Sequence, residues 1–130
     1  MRLSEAIRLG AMLRPQEYKA VFAQRDGEWY SCAIGAIAEA VGQKPNNINE
    51  GLFRAVQSFP ILNSIVGTYP CDCGQVFLAG GRIWHIISHL NNSHRWTRER
   101  IAAWVATIEP QELESPVEAN QTQQAEQVAP

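Results

Sequence analysis

The stretch IWHIISHLNNSHRWTRERIAAWVATI, residues 83–108, decides how this chain folds. Apolar residues recur at helical spacing on both sides of a polar break, which predicts a helix over 83–90, a turn at Asn91-Asn92-Ser93, and a final helix. Thr97 fits the N-cap of that last helix. Trp96 and Ile101 then stand at the two positions of a hydrophobic staple. Ile101, Trp104, Val105 and Ile108 form its inward stripe, and Pro110 ends it.

Towards the N-terminus the same logic predicts a helix over 4–13, with Ser4 as cap, Ile7, Leu9 and Leu13 on an apolar surface, and Gly10 permitting close packing. Asp26-Gly27 favours a tight turn. With Tyr18, Val21 and Phe22 before it and Trp29 and Tyr30 after it, a short hairpin is expected, a packed loop being the alternative. Ser31 opens a helix over 32–41 that is rich in alanine and stopped by Gly42, so Cys32 reads as a buried thiol. Asn49 is expected to cap a helix over 50–58, with Leu52, Phe53 and Val56 turned inward. Ile61, Leu62, Ile65 and Val66 are expected in the core, and 76–78 is expected to form a short strand ended by Gly80-Gly81.

The fold class expected is therefore mainly α, four to five helices with a short β-hairpin or an irregular cysteine-containing turn, a small α+β domain. Leu, Ile, Val, Trp and Phe are common to about residue 108 and then almost vanish. That places one compact domain over 1–109, with its Cys/His region at 69–96, and a disordered tail rich in Gln, Glu and Ala over 110–130.

The formal charge is −2, and the tail after Glu109 holds Glu112, Glu114, Glu118 and Glu126 with no Lys or Arg. Without those four negative charges the body stands at +2, too little to imply nucleic-acid binding from bulk electrostatics. The first fifteen residues lack the uninterrupted apolar core of a signal peptide, and no stretch approaches a membrane span. Three cysteines make no extracellular disulfide framework. The expectation is a cytoplasmic protein with no membrane partner. Neither Gly51 nor Gly67 belongs to a phosphate-binding glycine motif.

The chemistry-bearing residues lie between 71 and 94. Zinc takes four tetrahedral Cys/His ligands, and two selections are open. Cys71, Cys73, His85 and His89 give C-x-C with H-x3-H, the histidines sharing one helical face. Cys71, Cys73, His89 and His94 give H-x4-H, with the asparagine turn bringing His94 back. The one-residue gap between the cysteines is shorter than the usual two to four. A metal-free alternative hydrogen-bonds His89 and His94 into the core. Catalysis is disfavoured: H-E-x-x-H is absent, Asp72 is the only carboxylate between the cysteines and His94, and no nucleophile–base pair is evident. The polar run around Asn91, Asn92, Arg95, Arg98 and Arg100 reads as a binding surface, whereas Cys32, Trp96, Thr97, Ile101 and Trp104 read as structural.

The chain resembles a little-characterised family of small bacterial and phage- or prophage-encoded proteins. The likeness rests on Leu3-Ser4-Glu5-Ala6-Ile7-Arg8 with Gly10, on Ser31-Cys32-Ala33-Ile34-Gly35-Ala36, and most specifically on HLNNSHRWTRERIAAWV at 89–105. Members carry a cysteine pair, often more widely spaced, ahead of the histidine–tryptophan segment. The resemblance favours Cys71, Cys73, His89 and His94 as ligands of a structural zinc, with His85 as the alternative ligand. It implies a phage or prophage setting and no particular reaction. The function expected is a non-enzymatic accessory or regulatory protein that binds another macromolecule, a protein first. A small nucleic-acid-binding module using residues 95–100 and a metal-dependent phosphodiesterase-like enzyme are the alternatives.

Overall fold

The computed structural model describes residues 1–47, 50–73 and 81–110. Among them are five α-helices and one two-stranded hairpin, a small, mainly helical α+β fold. In chain order these are α1 (Leu3–Ala11), β1 (Phe22–Arg25), β2 (Glu28–Ser31), α2 (Ala33–Ala40), α3 (Gly51–Ser58), a 3-10 turn (Pro60–Asn63), α4 (Ile83–Asn92) and α5 (Arg98–Ile108).

Helix α2 is the centre of the packing. Ala33, Ile34, Gly35, Ala36, Ile37 and Ala38 are all buried, because small side chains let α1, α3 and α4 approach it together. The closest approach is at Gly10 of α1, where a Cβ would stand 1.9 Å from the Ala36 carbonyl oxygen. Any larger residue there would have to push two helix backbones apart. Helix α5 closes the other side of α1, burying Ile101, Ala102 and Val105. The core is aliphatic, built chiefly from Leu3, Ile7, Ile34, Ile37, Leu62, Ile83, Ile86, Ile87, Leu90 and Ile101.

The hairpin pairs Phe22 with Ser31 and Arg25 with Glu28. Asp26 and Gly27 both take positive φ, 53° and 81°, the two left-handed residues that a tight turn of this twist requires. The isolated pairing of Gln16 with Ser31 then ties the segment after α1 to the end of β2.

Several local expectations are corrected. Ser4 lies inside α1, and its N–H donates to Glu109 Oε1 at 3.1 Å while Leu3 N–H donates to Oε2 at 2.6 Å. The cap of α1 is thus a carboxylate from beyond the end of α5, a charged acceptor at a helix N-terminus. Leu9 and Leu13 are exposed at the far end of α1. Cys32 rather than Ser31 is the N-cap of α2. In α3 the inward face is Gly51 and Ala55, so close packing by small residues turns Phe53 out, 72% exposed. Ile65 is also exposed; it pairs with Arg82 in extended conformation, where successive side chains point to opposite sides and Val66 takes the inner one. Asn91 and Asn92 belong to α4, and the turn begins at Ser93. The expected cap at Asn49, strand at 76–78 and tail beyond residue 110 lie outside the described residues. No helix among the described residues is long and apolar enough to cross a membrane.

Candidate metal centre

The site forms where α4 ends. Helix α4 carries Ile83, Ile86, Ile87 and Leu90 into the core, and this register leaves His89 at the rim, 8% exposed. Ser93 N–H donates to the His89 carbonyl at 2.9 Å, and Arg95 takes φ 53°. This left-handed residue reverses the chain and returns the Trp96 N–H to the Leu90 carbonyl at 3.0 Å. His94 is thereby folded over His89, the two rings edge to face with centroids 4.7 Å apart. The cysteines arrive on the segment that follows the 3-10 turn. The Ile65–Arg82 pairing and the bonds from Val66 N to Gly81 O and from Ile83 N to Ser64 O fix this segment against the start of α4.

Four side chains converge. Cys71 Sγ lies 3.7 Å from Cys73 Sγ, Cys73 Sγ 3.1 Å from His89 Nε2, and His94 Nε2 3.0 Å from His89 Nε2. All four ligand atoms lie within 4.8 Å of one another. A tetrahedral zinc with ordinary bond lengths sets S···S at about 3.8 Å, S···N at about 3.5 Å and N···N at about 3.4 Å. The pairs still to be compared all join a cysteine sulfur to a histidine nitrogen, and closing the widest to that ideal takes at most about 1.3 Å. Among the described residues this is the one group of three or more Cys, His, Asp or Glu side chains placed to share an ion.

Hydrogen bonding alone leaves the arrangement incomplete. His89 Nε2 has short contacts to both Cys73 and His94, yet one ring nitrogen carries one proton or one lone pair and makes one well-aligned bond. A cation between the four atoms satisfies every lone pair at once. Burial, with smaller contributions from His94 and His85, holds the His89 imidazole below its ordinary pKa, which favours the neutral form that binds metal. Burial is likewise the main influence raising the Cys71 thiol. A bound cation would reverse that, since coordinated thiols are deprotonated. Four protein ligands on one ion would leave no open coordination position for a substrate. His85 stands outside the group, edge-on to Trp84.

The expected binding surface separates into two parts. Asn92, Arg95 and Arg100 are exposed; Arg95 lies 4.5 Å over the Tyr18 ring and Arg100 3.7 Å over the Trp96 ring. Asn91 and Arg98 are not surface residues, and their assignment to it is corrected. Asn91 is fully buried. Its Oδ1 accepts from Ala33 N–H at 3.0 Å and from Gln16 Nε2 at 2.8 Å, while Nδ2 donates to Glu17 O and Asn92 Oδ1, both at 2.8 Å. Arg98 donates to Ser31 O and Oγ, to Ala11 O and to Arg14 O at 2.7–3.4 Å. Burial lowers its pKa, opposed by Cys32, Tyr18 and Glu39.

The sequence carried a signal for both corrections. Asn91 repeats the register of Ile83 and Ile87, and Arg98 repeats that of Ile101, Ala102 and Val105, so each falls on a buried face. Gln16, Glu17 and Glu109 had no such signal, because their partners are remote in the chain. Of the residues read as structural, Cys32 and Ile101 are buried, Trp96 and Trp104 pack partly buried against the core, and Thr97 Oγ1 accepts from Arg100 N–H at 3.1 Å. Compared with protein-family models, with curated proteins and with solved structures, the chain matches none of them.

Proposed function

We propose that Cys71, Cys73, His89 and His94 hold one structural zinc ion, and that the protein is a non-enzymatic accessory or regulatory protein that binds another protein beside that site. The observation that carries the metal reading is the convergence of two thiols and two imidazoles within 4.8 Å, with Cys73 and His94 both against His89 Nε2, which has one proton or one lone pair to offer. Zinc suits this soft sulfur–nitrogen set better than magnesium or calcium, which take oxygen ligands.

The partner reading rests on the surface that the metal would hold in place. His94 is followed directly by exposed Arg95, stacked on Tyr18, and then, in the first turn of α5, by Arg100, stacked on Trp96. Arginine and aromatic side chains together are the residue types enriched where proteins bind one another. The nucleic-acid alternative is weakened because Arg98, one of its three cations, is consumed by internal carbonyls. A phage or prophage setting rests on the sequence resemblance alone.

Metal analysis of protein purified without an affinity tag tests the first part. One zinc per chain is expected, lost in Cys73→Ser and His94→Ala and retained in His85→Ala. A metal-free native preparation overturns it. For the second part, a protein captured by the wild type and lost from the Arg95→Ala/Arg100→Ala double variant is expected. Salt-sensitive binding of DNA or RNA with no protein partner would favour the other reading.

A further inference from the structure

We infer that the Cys71–Cys73 pair is an oxidant-sensitive latch: hydrogen peroxide converts the two zinc-bound thiolates into a disulfide, zinc leaves, and the His94–Arg95 turn is released. This inference rests on the zinc reading above and adds a form of regulation to the same site.

The two thiols differ in access. Cys73 is exposed and Cys71 half-buried, their sulfurs 3.7 Å apart with a single residue between them. The third cysteine, Cys32, is 3% exposed and therefore shielded from a dissolved oxidant. Cys73 is accordingly the sulfur that meets peroxide first, and Cys71 is the resolving thiol already beside it.

The step balances. The Cys73 thiolate attacks one oxygen of the peroxide, the O–O bond breaks, and Cys73 becomes a sulfenic acid as hydroxide leaves. The Cys71 thiolate then attacks the Cys73 sulfur and expels the second hydroxide. Two electrons pass from the sulfur pair to the peroxide, two protons are taken up, and two waters depart. The disulfide retains no thiolate charge to hold the metal, and two imidazoles alone make an incomplete zinc site.

The consequence reaches the surface because of where His94 sits. Arg95, the next residue, is in the left-handed region at φ 53° without being glycine, a conformation that crowds its Cβ against the following carbonyl oxygen. Ligation of His94 would join the stacking of Arg95 on Tyr18 and the Trp96 N–H bond to the Leu90 carbonyl in holding it there. Losing the ligation leaves the turn to the other two, so partner binding through Arg95 weakens on oxidation.

The test uses the full zinc-loaded chain treated with a slight excess of hydrogen peroxide. Zinc release is followed with a chromogenic chelator, and peptide mapping without reduction locates the oxidised sulfurs. The expected result is one zinc released per chain together with a Cys71–Cys73 disulfide, both reversed by dithiothreitol plus zinc. A Cys73→His variant, which keeps four ligands but no thiol pair, is expected to retain its zinc under the same treatment. Zinc that stays bound to reduced cysteines overturns the inference. So does zinc loss with sulfinic or sulfonic acids and no disulfide, or loss from Cys73→His at the wild-type rate. If that variant takes up no zinc, the wild-type peptide map decides alone. Absence of zinc before any oxidant is added is a distinct outcome, and it overturns the metal reading and the latch together.

Discussion

Two polar assemblies meet at the junction of α4 and α5, and they are satisfied in different ways. On one side Asn91 and Arg98 tie the junction to residues 11–17, to Ser31 and to the start of α2. The Asn91 and Arg98 donors there all reach protein acceptors, and Asn91 Oδ1 accepts from two. On the other side His89 and His94 meet Cys71 and Cys73, and the single His89 Nε2 stands against both Cys73 Sγ and His94 Nε2. His89 and Asn91 are two residues apart on one helix and so point in nearly opposite directions. The difference separates an internal brace from a ligand site. A buried polar group bonded throughout by protein partners holds the fold, whereas a convergence of thiols and imidazoles is placed to share an ion from solution.

The largest effect should come from breaking the brace. Asn91→Ala leaves Ala33 N–H, Glu17 O and Gln16 without their partner, and is expected to cost about 3 kcal/mol in denaturant unfolding, while the folded variant still binds one zinc per chain. Loss of zinc with little loss of stability would mean that the two assemblies have been assigned the wrong way round. Next in size is removal of the metal. Saturating chelator is expected to lower stability by about 2.7 kcal/mol relative to free zinc held a hundredfold above its dissociation constant. The same chelator should leave the thermal midpoint of a Cys71→Ser/Cys73→Ser variant unmoved.

A smaller effect belongs to pH and is read on the inner side at Cys32. Burial raises the Cys32 thiol, so above its ordinary pKa the unfolded chain releases that proton while the folded chain keeps it. The folded state then binds more protons, and stability falls as pH rises from about 8.5 until the folded thiol also ionises, by up to about 1.4 kcal/mol per pH unit. Unfolding of the wild type and of Cys32→Ser, compared between pH 7 and 10, should isolate that slope; equal slopes would contradict it. The smallest effect is at the surface. Arg100→Ala, which removes one exposed cation–π contact, is expected to cost about 0.5–1 kcal/mol by thermal melting and no zinc.

Much of the scaffold was legible in the sequence because its signals are local. Asp26-Gly27 announced the hairpin, the alanine-rich run announced the central helix, and Thr97 announced the start of α5. The spacing of His89 and His94 also brought into consideration the two histidines that the fold sets beside the cysteines, although it left His85 open. What sequence reasoning missed was set by distance along the chain or by residue type. Glu109 caps a helix more than a hundred residues earlier, and no local pattern encodes that. Asn91 and Arg98 were read by their polarity, yet their helical register put them inside, where the carbonyls and amides of other segments make polarity useful. Phe53 and Ile65 failed in the opposite sense. Each is large and apolar, but a neighbouring small or inward residue took the buried place.

X-ray absorption at the zinc edge on native protein reads the ligand shell itself. A first shell of two sulfurs at about 2.3 Å and two imidazole nitrogens at about 2.0 Å is expected, with the nitrogen contribution reduced in His94→Ala. A shell of oxygen and nitrogen without sulfur, or no bound zinc at all, would contradict it.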